Sequence, residues 1–167
     1  MKRFRATTGN GFGLAAARRC SIVLMLLATV AVWCTAAGQP DGVMNAKQGI
    51  AIDGYDTVAY FTLGEAVRGT PQFSAEWEGV VWLFRSAAHR DHFANAPERF
   101  APQYGGNCAQ AVTNDRIVRA DPTVWSIVDG RLFLNCGIRI QRRFRRDVDE
   151  NVKAADGAWL RLHERIH

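Results

Sequence analysis

Cys108, set behind a tyrosine and two glycines in "YGGNC", a second cysteine at Cys136, and the neighbouring histidines His89 and His92 are the residues whose types could do chemistry. A thiol and an imidazole are the parts of a nucleophile and its general base. Thiolate and imidazole are equally the donors that zinc and copper take, and copper(I) is content with fewer than the four ligands zinc normally holds. Nothing else in the chain supports a catalytic reading. It has no Gly-rich phosphate loop ahead of a helix, no nucleophile elbow and no pair of histidines at metalloprotease spacing. The expectation is therefore a non-catalytic protein, with Cys108 and His89 as the metal-ligating candidates. The alternatives are a Cys108 to Cys136 pair, a buried inert thiol beside a satisfied boundary histidine, and a cysteine-dependent enzyme as the outsider.

Other residues could line a pocket. Tyr55 and Tyr104 are the phenols assigned to binding a small ligand, although aromatic residues at such spacings also build cores. Asp53 and Asp56 flank Gly54 and Tyr55, which fits either an oxygen-ligand corner or a turn followed by a helix cap. Gly105 and Gly106 mark a place where the backbone passes close to something or takes positive φ.

These residues need elements to hold them. "GIAI" reads as a short strand, the Asp53-Gly54 pair as a turn, and Asp56 as the N-cap of a short helix through Tyr60. "FSAEWE" and "VVWLF" around Gly79 predict a hairpin. Ser86 starts a helix with Ala88, His89, Phe93 and Ala96 at helical spacing, which Pro97 interrupts before the short turn "PERF". His89 lies one turn before Phe93, toward the core face, and His92 is rotated away from it. "WSIVDGRLFLN" predicts a second hairpin, because Asp129-Gly130 suits a type I′ turn. Ile140, Phe144, Val148 and Val152 then recur every fourth residue and predict a closing amphipathic helix, with Gly157 separating it from a last turn carrying Trp159 and Leu162. No internal repeat is evident. The fold class is α+β: a small antiparallel sheet of β-hairpins with short helices and a C-terminal amphipathic helix.

The first 37 residues read as an address. Lys2, Arg3, Arg5, Arg18 and Arg19 precede an apolar run over 21–33 and the small residues of "CTAAG", the pattern of a secretory signal cleaved after Ala36 or Ala37. Residues 38–49 read as a linker and 50–167 as the domain, whose length suits one hydrophobic core. The 21 Lys and Arg of the whole chain face 16 acids, and the five cations of the leader account for the excess. The remainder is charge-balanced, so the basic sequence pI carries no implication of nucleic-acid binding. The expected location is the periplasm or outside the cell, with a membrane tether only through an uncleaved signal.

"AIDGYDTVAYF", "FSAEWEGVVWLFRSAAHRDHFANAPERFAPQYGGNCA" and "WSIVDGRLFLN", in this order, resemble the exported single-domain members of the YHS-domain family. The middle stretch is similar to YHS modules attached to copper-transporting ATPases and some oxygenases, and the resemblance implies a transition metal, copper or zinc, as ligand. Those modules carry cysteines where this chain has Arg85 and His89, so His89 alone stands at a ligand position. Cys108 belongs to the motif of the exported group. Cys136 is a departure, in "LNC" where relatives have "LNY". The resulting expectation is an exported, non-catalytic YHS-like domain that binds a transition metal or another small ligand. The alternative is a structural or protein-interaction domain.

Overall fold

Both hairpins form where β-rich runs meet an acid-glycine pair. In the computed structural model, which describes residues 44–166, β3 (Thr70–Trp77) pairs antiparallel with β4 (Val80–Phe84), and β5 (Asp121–Val128) with β6 (Arg131–Asn135). The turns are Glu78-Gly79 and Asp129-Gly130, with φ of 49° and 71° in the first and 49° and 74° in the second, the left-handed pairs that match strand twist. Before the first hairpin run β1 (Ala46–Lys47) and β2 (Ile50–Ala51). They extend the folded part upstream of Ile50, and the side chain of buried Asn45 donates to the carbonyls of Gly106 and Ala120. Because β2 pairs parallel with β4 at Ile50 and Val81, the four-stranded sheet β1-β2-β4-β3 is mixed rather than purely antiparallel, and β5-β6 is a separate sheet. The leader read over residues 1–37 lies outside the described residues.

Among the described residues six α-helices complete the α+β fold: α1 (Thr57–Thr62), α2 (Ala87–Asn95), α3 (Pro97–Phe100), α4 (Ala109–Val112), α5 (Ile138–Arg146) and α6 (Val148–Ile166). Asp56 caps α1 and Ser86 caps α2, as their side-chain oxygens predict. The C-terminal helix departs from expectation. It breaks at Asp147, where φ is −127° and ψ is 61°, and Asn151 closes the break by donating to the Phe144 carbonyl at 3.0 Å. Gly157 does not interrupt α6. A helical glycine costs only about 1 kcal/mol, and Ala155, Ala158 and Leu162 bury the surrounding face. No helix among the described residues is long and apolar enough to cross a membrane.

The absence of an internal repeat is also corrected. The chain follows one path twice. Strands of eight and five residues and a nine-residue helix make β3, β4 and α2, and the same lengths make β5, β6 and α5. Counterparts start 51 residues apart: Thr70 and Asp121, Val80 and Arg131, Ala87 and Ile138. Even the register irregularities coincide, between Thr70 and Ser74 and between Asp121 and Trp125. Upstream, the left-handed run Ile52-Asp53-Gly54 matches Tyr104-Gly105-Gly106. Then Asp56 N donates to Val67 O at 2.8 Å as Cys108 N donates to Val118 O at 2.8 Å. Isolated bridges join Tyr55 to Arg68 and Asn107 to Arg119 in the two copies. Thus Asp56 before α1 and Cys108 before α4 occupy one structural position.

Two core clusters form. Tyr60, Trp82, Phe84 and Phe93 of the first copy share one with Cys108, Ala120, Leu132 and Leu134 of the second, while Tyr104, Phe133 and Phe144 pack with Ala155, Ala158 and Leu162 of α6 in the other. The aromatic rings within each cluster meet at tilted or edge angles, with Phe84 to Phe93 at 5.1 Å and Phe133 to Phe144 at 5.4 Å.

Candidate functional site

The motif "YGGNC" holds Cys108 through its backbone. Tyr104, Gly105 and Gly106 have φ of 58°, 60° and 74°, and a Cβ on Gly106 would stand 2.8 Å from Ile52 Cγ2 and 3.2 Å from Pro102 Cγ. Both reasons expected for the glycine pair therefore apply at Gly106: positive φ and a close neighbour. The turn delivers Cys108 to the start of α4, fully buried and bridged to Leu134 of β6. Two residues beyond Leu134 the chain leaves the sheet at Cys136, so the sulfurs come to 3.2 Å. Cys136 N donates to Cys108 Sγ at 3.3 Å, and Asn135 Oδ1 is 3.9 Å from the same sulfur. Burial pushes the Cys108 thiol up to about 11, with the hydrogen bond it donates to the Cys136 sulfur in support. Cys136 is exposed. One sulfur of the pair is thus sealed and the other reaches solvent.

His89 has other partners. Its Nδ1 donates to Asp56 Oδ2 at 2.7 Å, and its Nε2 is 3.4 Å from Thr62 Oγ1. Asp56 is completely buried and accepts four hydrogen bonds: Val58 N and Ala59 N on Oδ1, Arg85 N and His89 Nδ1 on Oδ2. One carboxylate thus ties the start of α1 to the end of β4 and to α2. The cap was readable from the sequence, but its second oxygen was not, because Arg85 and His89 lie 29 and 33 residues away. A carboxylate behind a histidine is how metal-binding imidazoles are oriented. Among the described residues, however, no group of three or more His, Cys, Asp or Glu could hold a metal ion. Asp53 does not join Asp56 in an oxygen-ligand corner; its carboxylate takes Arg119 Nη2 at 2.9 Å. His92 is exposed, stacked beside Phe100.

The two candidate ligand tyrosines have different surroundings. Tyr55 is half-buried with the Arg68 guanidinium 4.7 Å above its ring. Tyr104 is buried in the second core and donates to Asp156 Oδ1 at 2.9 Å. Burial, then the Asp156 hydrogen bond, raises its phenol well above the usual value. Asp156 also holds Arg131 through both oxygens, at 2.6 and 3.1 Å, and Arg131 donates onward to Gln103 Oε1. No sequence spacing announced this network, which depends on α6 lying over β6.

Cys108 is therefore brought to Cys136, and His89 to Asp56. The thiol and the imidazole each have their own partner, so the imidazole is not arranged as the base of the Cys108 thiol. Comparison with protein-family models, curated proteins and solved structures gives no match.

Proposed function

We propose that this chain is an exported, non-catalytic YHS-like domain that binds a soft transition metal, and that Cys108 and Cys136 rather than Cys108 and His89 are the ligands. The observation that carries this reading is the pair of sulfurs 3.2 Å apart with one of them open to solvent. Two thiolates are a sufficient donor set for copper(I) and half of what zinc usually takes, so the arrangement favours copper. Binding would release the thiol protons, because only thiolate ligates. The leader pattern over residues 1–37 and the resemblance of the three quoted motifs support the export and family parts of the reading.

The test is a copper(I) titration of the fully reduced chain against a coloured chelator, with Cys20→Ser and Cys34→Ser included so that only the two domain thiols report. One equivalent is expected, lost in Cys136→Ser and retained in His89→Ala. Loss in His89→Ala with retention in Cys136→Ser would return the site to Cys108 and His89. The second reading, a structural or interaction domain, is supported by the complete burial of Cys108. It predicts no stoichiometric copper and no rise in melting temperature, since only a ligand of the folded state stabilises it.

A further inference from the structure

The equivalence of Asp56 and Cys108 says what the thiol pair replaces. In the first copy a side chain at the start of α1 is braced to the residue just past the second strand: Asp56 Oδ2 accepts from Arg85 N at 2.9 Å. In the second copy Cys108 Sγ accepts from the counterpart amide, Cys136 N, at 3.3 Å. His89 adds a second arm to the first brace, at 2.7 Å. Its counterpart by the same offset is Ile140, which has no polar group to offer. The second arm in this copy is the other sulfur, at 3.2 Å from Cys108.

We infer that Cys108 and Cys136 are a redox-active dithiol that closes to an intramolecular disulfide by exchange with a small-molecule or protein disulfide. Exposed Cys136 is the sulfur an incoming disulfide can reach, and buried Cys108 is the resolving one. Cys136 thiolate attacks the disulfide R–S–S–R, forming Cys136–S–S–R and releasing one R–S⁻. The Cys108 sulfur, losing its proton to the released thiolate, attacks Cys136 Sγ and expels the second R–S⁻, which takes up the proton of Cys136 from solvent. The dithiol gives up two electrons and two protons, and the reagent leaves as two thiols. Access from one side only directs the order of attack, and the neighbouring sulfur outcompetes a second molecule of reagent because it is already in place. The exchange needs no metal, so it stands apart from the copper reading. A metal on the reduced pair and a closed disulfide exclude each other, because oxidised sulfur has no thiolate to offer.

The experiment uses the full chain with Cys20→Ser and Cys34→Ser, in chelator, exposed to oxidised glutathione. Alkylation after denaturation is expected to fall from two thiols to none, with an intact mass about 2 Da below the reduced protein. Peptide mapping should locate a Cys108–Cys136 link, reversible by dithiothreitol. The oxidised form should unfold at higher urea, because the closed loop restricts the unfolded chain. Cys108→Ser should stop at the glutathione adduct on Cys136. Cys136→Ser, altered at an exposed position, is the variant least prone to misfold, and it should form neither adduct nor link. Two alkylatable thiols after oxidation, or a stable glutathione adduct on Cys136 in the chain that keeps Cys108, would overturn the inference. Absence of copper binding would leave it intact, and a disulfide that fails to form beside intact copper binding would sink it alone.

Discussion

Asp56 and Cys108 stand at one position of a repeated unit and use it in opposite ways. Asp56 carries a formal charge into a completely buried place and satisfies it with four donors drawn from three segments. Cys108, equally buried, carries a weakly polar atom whose polar neighbours are the Asn135 amide oxygen, the Cys136 amide nitrogen and the thiol of exposed Cys136. The same backbone, with the same left-handed approach and the same amide-to-carbonyl bond behind it, accommodates either. The difference lies in what can be removed. A buried charge with every lone pair engaged is a structural hub, because its partners are orphaned without it. A thiol with few partners leaves the fold largely intact and the chemistry free.

The largest effect expected is therefore at the hub. Asp56→Ala strips the cap from α1 and leaves Arg85 N and His89 without an acceptor, and should cost about 4 kcal/mol in urea unfolding. Asp56→Asn can keep one oxygen on Val58 and Ala59 but turns an amide toward two donors, so it should fall between wild type and alanine. If Asp56→Ala cost no more than a surface substitution, the hub would be no hub.

A second contrast separates the copies by space. A Cβ on Gly69 would lie 2.2 Å from the Leu83 carbonyl carbon and 2.4 Å from Phe84 N, backbone that cannot step aside without disturbing β4. Its counterpart in the second copy is Ala120, buried and accommodated. Gly69→Ala should cost about 3 kcal/mol by overpacking, whereas Ala120→Gly should cost about 1 kcal/mol through backbone freedom. Equal costs would mean that the two hairpins meet their preceding loops alike. Third in size is Cys108→Ala, measured in reductant: about 2 kcal/mol, the cavity left by one buried sulfur with no orphaned charge. A cost matching that of Asp56→Ala would erase the distinction between hub and thiol.

The elements were legible where local chemistry decides them: turn pairs such as Asp129-Gly130, caps such as Ser86, and the β-rich runs between. The repeat was written in the sequence too, but thinly. "VRGTP" and "VRADP", and the matched pairs Gly54 and Gly106, Gly79 and Gly130, Leu83 and Leu134, Phe93 and Phe144, recur at offsets of 52 and then 51, a slip that hides them. Each pair serves the path itself, a positive-φ turn or a buried face, while the residues between serve different neighbours. The partners of the candidate site residues were illegible for a related reason. In sequence Cys108 has His89 and Cys136 as candidate companions, and the fold alone decides between them, because strand β6 carries Cys136 past Cys108 while the Asp56 hub holds His89. Gly157 misled because a helix tolerates one glycine when its other side is packed.

The smallest effect expected lies where α6 covers the second copy. Asp156 binds Arg131 through both oxygens, a geometry that invites a large stabilisation, yet the two side chains are 44% and 35% exposed. Burial acts to raise the Asp156 pKa, but hydrogen bonds from Arg131 and Tyr104 outweigh it and hold the carboxyl below its ordinary value. A group whose folded pKa is depressed contributes stability above its unfolded pKa, about 3.9, and loses it as the pH falls through the folded value. Solvent screening at this exposure reduces the contribution to about 0.5–1 kcal/mol. Asp156→Asn should therefore lower stability by that amount at neutral pH and by less as the solution is acidified below pH ~4, with added salt narrowing the gap at neutral pH. No loss in Asp156→Asn at neutral pH would assign the role of Asp156 to its bond with the Tyr104 hydroxyl, which an amide oxygen also accepts, rather than to charge. Covering the second copy with a half-exposed ion pair then differs from bracing the first with Asp56 in the one variable that sets electrostatic strength, access to water.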